Sequence, residues 1–212
     1  MIDKIRQKVN TFITSLEEEE QKVVMITPEE LMGAPEPDLR VIGLFSDVAE
    51  DKVAELVHAL LYLNELNRSS KEGTQKPIKF YLSTYGGSAD DMFALYDVMR
   101  LVQSETAIHT VGMGKVMSAG VLLLAAGTKG ERRIGKHCRV MIHSAMAGSH
   151  GSLPNLVNEL EALQQLEEEY IDALVSETKM TKEEIKNMLE RKVNVYLSAE
   201  EAVKLGIADI II

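Results

Sequence analysis

Three short segments of this 212-residue chain carry residue types that could do chemistry together. The first is Leu82-Ser83-Thr84-Tyr85-Gly86-Gly87-Ser88, an apolar run that ends in two glycines. Glycines there let the backbone turn tightly and expose bare N–H groups to an oxyanion or a phosphate, although a plain strand-to-helix turn would use the same residues. The second is Gly112-Met113-Gly114-Lys115-Val116-Met117-Ser118-Ala119-Gly120. Ser118 stands at the start of an apolar helical run, where it serves either as an N-cap or as a nucleophile at the positive helix end. Ala119 and Gly120 leave room for a substrate, which an N-cap does not require. The third is Val140-Met141-Ile142-His143-Ser144, a strand pattern closing on a histidine that is either structural or a general base. A hydroxyl, a base and preorganised donors are the parts that acyl transfer needs.

These segments do chemistry only if the fold brings them together. From residue 39 onward apolar runs alternate with helix-period segments, which predicts an α/β domain of repeated βα units around a largely parallel sheet. Strands are expected over 39–45, 78–83 and 107–112, around Ile134, over 140–143 and over 207–212. Helices are expected over 50–67, with Val53, Leu56, Val57, Leu60, Leu61 and Leu63 inward, and over 89–103. Residues 118–126 predict a short, wholly apolar helix that must be buried on all sides. A long amphipathic helix over 152–179 carries a stripe from Leu153 to Leu174 and is long enough to project from so small a domain. Capping boxes at Thr181 with Glu184 and Ser198 with Glu201 mark two further helices, the second stopping at Gly206. In this arrangement the three chemical segments fall at strand C-termini on one edge of a parallel sheet, where α/β sites form.

Composition narrows the function classes. Hydrophobic residues are 45% and charged residues 26% of the chain, which is ordinary globular composition. A net charge of −10 argues against nucleic acid as a partner, because such binding draws on Lys and Arg. The lone Cys138 cannot form an intramolecular disulfide, and neither a secretory signal nor an apolar run of membrane-spanning length is visible. A cytoplasmic address is expected, with no membrane partner. Residues 1–38 read as an amphipathic arm and a Pro/Gly-punctuated linker ahead of the 39–212 domain.

Four motifs in order resemble one family: Gly86-Gly87-Ser88; the run from Ser118-Ala119-Gly120 to Gly127-Thr128-Lys129-Gly130; Arg139-Val140-Met141-Ile142-His143; and Tyr196-Leu197-Ser198 to Val203 with Gly206 and Asp209. They are similar to the Clp protease proteolytic subunit, ClpP, over residues 39–212. That resemblance implies a ClpP/crotonase-like fold with a projecting handle helix at 152–179. It implies a self-compartmentalised, ATP-dependent serine endopeptidase in which Ser118 is the nucleophile and His143 the base. The N–H groups of Gly87 and Ala119 would form the oxyanion hole, and Gly86, Ser88, Ser144 and Ala145 would line the substrate path. No cofactor or metal is implied. The implied partners are unfolded polypeptides, an AAA+ unfoldase of the ClpX, ClpA or ClpC type, and further copies or homologues in a homomeric or mixed ring, a heptamer or tetradecamer.

Several positions depart from the family pattern. Asn194 stands where the third triad residue is usually Asp; an amide can orient the imidazole but offers no charge to stabilise imidazolium. Lys192 and Val193 replace an acid and an arginine that commonly pair between rings. Ser144-Ala145 replaces Gln-Pro, and Ala119-Gly120 replaces Met-Gly. A catalytically weak or inactive structural ring subunit is therefore the alternative reading. A crotonase-type acyl-CoA enzyme shares the fold, but serine and histidine at these positions count against it.

Overall fold

The computed structural model describes residues 39–212 apart from Glu72, Ala147, Ser149 and Lys192, so the arm expected over 1–38 lies outside the described residues. Strand β1 (Val41–Leu44) leads to helix α1 (Glu50–Arg68), β2 (Ile78–Thr84), α2 (Ala89–Gln103), β3 (Ile108–Met117) and α3 (Ala119–Ala125). Two short strands follow, β4 (Arg133–Ile134) and β5 (Arg139–Ile142). The chain ends with α4 (Leu153–Glu177), α5 (Lys182–Glu190), β6 (Val195–Leu197), α6 (Ala199–Lys204) and β7 (Ile210–Ile211). This is the alternating α/β architecture expected from the periodicity.

The strands form one sheet in the order β1-β2-β3-β4-β7, every pair along it parallel, with β5 leaving β3 and β6 attached to β5. Strand β3 reaches five residues further than the 107–112 run suggested. Its first half pairs with β4 at Val111–Arg133, and its second half pairs with β5 from Lys115–Arg139 to Met117–Met141. Gly114 lies between the two halves with φ of +66°, a bend that L side chains rarely adopt. Strand β6 has no signature in the sequence: three residues are too few to set a period, and its antiparallel pairing to β5 is a tertiary event.

The core is mostly aliphatic. Phe80 and Leu82 of β2, Leu95 and Met99 of α2, and the whole of α3 are buried. Each fully buried Leu, Val or Met side chain contributes about 1.5–3 kcal/mol. Leu61, expected on the inward face of α1, is 40% exposed, because the helix period carries it past the buried line of Val53, Leu56, Leu60 and Leu63. Helix α4 is buried only near its C-terminal end, at Ile171, Leu174 and Glu177, while Leu153, Val157 and Leu160 are exposed. The buried carboxylate of Glu177 pins that end: it accepts from Tyr96 Oη at 3.0 Å and pairs with Lys129 at 2.8 Å and Arg100 at 3.3 Å.

Asp209, after α6, accepts from the backbone N–H of Gly130 at 2.8 Å and from Arg132 Nε at 2.7 Å and Nη2 at 2.5 Å. Arg132 also donates to Ala125 O at 3.1 Å and Glu177 O at 2.7 Å, so one buried guanidinium ties together the ends of α3, α4 and the final strand. Partial burial alone would raise the Asp209 carboxyl pKa, but hydrogen bonds from Arg132 and Gly130 prevail and hold it below the usual carboxylate range. A depressed carboxylate stabilises the fold at pH above its unfolded value and loses that contribution as pH falls through its folded value. Asp209→Asn should therefore cost about 3 kcal/mol in urea unfolding at pH 7, and the gap to wild type should narrow below about pH 4. A gap that does not change with pH would show that the carboxylate charge is not what matters.

Candidate active site

Three strand ends build the site. Strand β3 passes from Met117 straight into α3 at Ala119, leaving Ser118 as the single residue in which the chain changes direction. Ser118 takes φ 53° and ψ −124°, and among the described residues it is the one non-glycine with positive φ. Such a conformation costs on the order of 1–3 kcal/mol and persists only when the surroundings enforce it. Here they do. Ser118 N–H donates to Met141 O of β5 at 2.8 Å, and Ser118 O accepts from Val121 N–H at 2.9 Å and from Tyr170 Oη at 3.2 Å. Its hydroxyl makes no capping bond, so the N-cap alternative does not hold. The capping boxes at Thr181 and Ser198, by contrast, are both formed as expected.

The glycine pair follows β2, whose Thr84 aligns with Val116 of β3. Gly86 lies directly against Ser118: a Cβ there, at φ +102°, would fall 2.6 Å from Ser118 Cβ. Gly87 bridges to Val48 so closely that a Cβ would fall 2.1 Å from Val48 O. Val48 N–H donates to Gly86 O at 2.8 Å and Ser88 N–H to Val48 O at 2.8 Å. Among the described residues, the N–H groups of Gly87 and Ala119 make no hydrogen bond. Ser88 uses its hydroxyl to cap α2, accepting from Asp91 N–H at 3.2 Å.

His143 directly follows β5, which pairs with β3 up to Met117–Met141. Strand β6 runs antiparallel to β5, and their pairing ends at Ile142 opposite Val195, so His143 directly follows and Asn194 directly precedes the paired segment. Asn194 is exposed, and among the described residues no hydrogen bond links it to His143 or links His143 to Ser118. Catalytic hydrogen bonds are often long without substrate and tighten when it binds. Lys192, beside this position, lies outside the described residues.

A cavity of about 340 Å³ joins these parts. Its wall includes Ser118, Ala119, His143, Gly87, Ser88, Ser144 and Ala145, that is, every expected site residue except Gly86 and Asn194. Gly86 lies against Ser118, and Asn194 directly precedes β6. The remaining wall is mostly apolar, with Met92, Leu163 and Leu166. Cys138 is buried and its thiol is pushed up to about 11, so it stays neutral and is no competing nucleophile.

Two site residues escaped sequence reasoning, and both lie on α4. Tyr170 lies within the apolar stripe of the long helix, yet burial pushes its phenol well above the usual range and its hydroxyl donates to Ser118 O. A tyrosine in an apolar stripe carries an O–H that needs a partner, which was the available signal. Glu167 stands in the acidic run Glu167-Glu168-Glu169, but it falls on the same helix face as Leu163, Leu166 and Tyr170 and lines the cavity with them.

The Clp protease family profile matches residues 37–212. The chain belongs to the Clp protease family. It is 34% identical over 173 residues to the ATP-dependent Clp protease proteolytic subunit 1 of Prochlorococcus marinus subsp. pastoris strain CCMP1986 / NIES-2087 / MED4, covering 82% of this chain and 83% of the relative. It is 33% identical over 173 residues to subunit 1 of Prochlorococcus marinus strain MIT 9312, covering 82% and 84%. Over 174 residues it is 33% identical to subunit 3 of Synechococcus sp. strain CC9902, covering 82% of each chain. Among the described residues no helix is long and apolar enough to cross a membrane.

The glycine geometry makes a direct prediction. Gly87→Ala should destabilise the fold by more than about 2 kcal/mol in urea titration, because a methyl there meets backbone rather than a movable side chain. Gly148→Ala, with open space around its Cβ position, should stay within about 0.5 kcal/mol of wild type. Equal effects would contradict the close approach at Val48.

Proposed function

We propose that this chain is the proteolytic subunit of a compartmentalised Clp serine protease and that Ser118, His143 and Asn194 act as its triad. The observation that carries the reading is the enforced left-handed conformation of Ser118, whose uncapped hydroxyl shares a cavity with His143. Strain of this kind gathers at functional sites, and nucleophilic serines are presented on sharp strand-to-helix turns in other hydrolases. In the proposed cycle Ser118 Oγ attacks the scissile carbonyl carbon while His143 takes the hydroxyl proton. The carbonyl oxygen becomes an oxyanion and receives the N–H groups of Gly87 and Ala119, which have no other partner among the described residues. The C–N bond then breaks as His143 returns the proton to the leaving amine. A water repeats the sequence on the acyl ester, giving its proton to His143 and releasing the acid and Ser118.

An extended substrate would lie between the Gly87-Ser88 edge and the 145–151 segment, drawing affinity from main-chain hydrogen bonds with a mainly apolar side-chain preference. Family membership and the exposed apolar flank of α4 at Leu153, Val157 and Leu160 support assembly into stacked rings fed by an AAA+ unfoldase. A second reading, a weak or structural ring subunit, is favoured by one observation: Asn194 is a neutral amide with no hydrogen bond to His143 among the described residues.

Ser118→Ala should reduce turnover of short fluorogenic peptides to background while sedimentation velocity shows an unchanged particle. Turnover equal to wild type would remove Ser118 from the mechanism. Asn194→Asp should raise kcat, because a carboxylate supports the imidazolium that forms in the transition state. An assembled Asp variant that is slower than wild type would show a pocket built around the amide. Leu160→Glu should shift the particle towards smaller species in the same sedimentation experiment, and an unchanged distribution would remove the α4 flank from the assembly contact.

A further inference from the structure

The cavity beside Ser118 is walled mainly by apolar groups, including Met92, Leu163, Leu166 and the ring of Tyr170, and among its lining residues Glu167 is the one carboxylate. Lysine and arginine do not contribute to that lining. Glu167 is half-buried, and its Oε1 accepts from Ala145 N–H at 3.0 Å, two residues beyond His143. That bond fixes the carboxylate on the wall that carries the base. Among the described residues, its Oε2 has neither a hydrogen bond nor an ion pair. Lys186, which lines an adjoining cavity with Glu167 and Glu168, and Lys182 are paired with other carboxylates. Lys186 pairs with Glu168 at 2.5 Å, and Lys182 pairs with Glu168 at 3.1 Å and Asp172 at 2.6 Å.

A fixed carboxylate with an unused oxygen, set among hydrocarbon, selects for a cation on an apolar stem. The stem packs on Leu163 and Leu166 while the head reaches the carboxylate. We propose that Glu167 is a specificity-determining residue that recruits a lysine or arginine side chain of the substrate into the cavity beside Ser118. This rests on the peptidase reading and adds a charged preference to the apolar one expected there. Lysine and arginine share the chemistry required, a long aliphatic stem with a terminal N–H donor cation. A substrate's free amino terminus has the donor but not the stem.

The test separates recognition from catalysis by measuring binding to the full chain carrying Ser118→Ala. Fluorescence anisotropy would compare N-acetylated peptides identical except for lysine, acetyl-lysine or leucine at one position, scanned along the sequence, with an uncapped leucine peptide as a fourth probe. At one position the lysine peptide should bind at least about tenfold more tightly than its acetyl-lysine counterpart, the lower end of what a hydrogen bond to a charged group is worth. In Ser118→Ala/Glu167→Gln, where the amide can still accept from Ala145 N–H, that ratio should fall to within about twofold of one. Lysine and acetyl-lysine peptides that bind alike at every position, or a ratio that survives Glu167→Gln, overturns the proposal. An advantage confined to the uncapped leucine peptide also overturns it, by assigning the carboxylate to an amino terminus. Failure of the peptidase reading shows instead as unchanged peptide turnover in the single Ser118→Ala variant.

Discussion

Strand β3 must end and helix α3 must begin within one residue, at the middle of the sheet, and that reversal shapes everything around it. A chain that turns so abruptly needs a positive φ, yet the residue there is serine and not glycine. The cost is offset by neighbours that hold it from several directions: Met141 O of β5 accepts its N–H, Tyr170 of α4 donates to its carbonyl, and Gly86 closes in where any side chain would collide with it. The hydroxyl is thereby left free of the capping role that a serine at a helix start ordinarily fills.

The rest of the fold supplies the rigidity this turn requires. Helix α3 is buried along its whole length, so it cannot shift to relieve the strain. Its far end is gripped through Ala125 O by Arg132, which Asp209 and the Glu177 carbonyl hold in turn. The run from Gly127 to Gly130 therefore has a structural meaning: a Cβ at Gly127 would fall 2.3 Å from Thr110 Oγ1, Thr128 Oγ1 accepts from Ile108 N–H at 2.9 Å, and Gly130 takes φ of +87°. Helix α4 then joins frame to site, with Glu177 anchoring its buried end and Tyr170 and Glu167 facing the cavity.

Legibility in the sequence followed the strength of local signals. The 89–103 helix and both capping boxes were readable because apolar period and cap chemistry agree there. The apolar run 118–126 announced a buried helix for the same reason. The extension of β3 beyond Gly112, through Gly114 to Met117, was not readable, since glycine in a strand looks like a loop until a partner strand is known. Nor was β6, whose pairing with β5 ends at Ile142 and Val195, beside His143 and Asn194 in the chain. At the site, residue types and strand ends pointed to Ser118, His143 and the glycine pair, whereas Tyr170 and Glu167 reach it only by the folding back of α4. Periodicity reports that a helix face is covered, not what covers it.

The central claim is that an enforced turn makes Ser118 a reactive hydroxyl with His143 as its base. Intact mass followed by peptide mapping, after incubation of the full chain with a fluorophosphonate, tests it most directly. The account predicts one covalent adduct per chain, located on Ser118 and lost in His143→Ala while that variant keeps its fold. An assembled, folded protein that takes no adduct, or takes it on another residue, would contradict it.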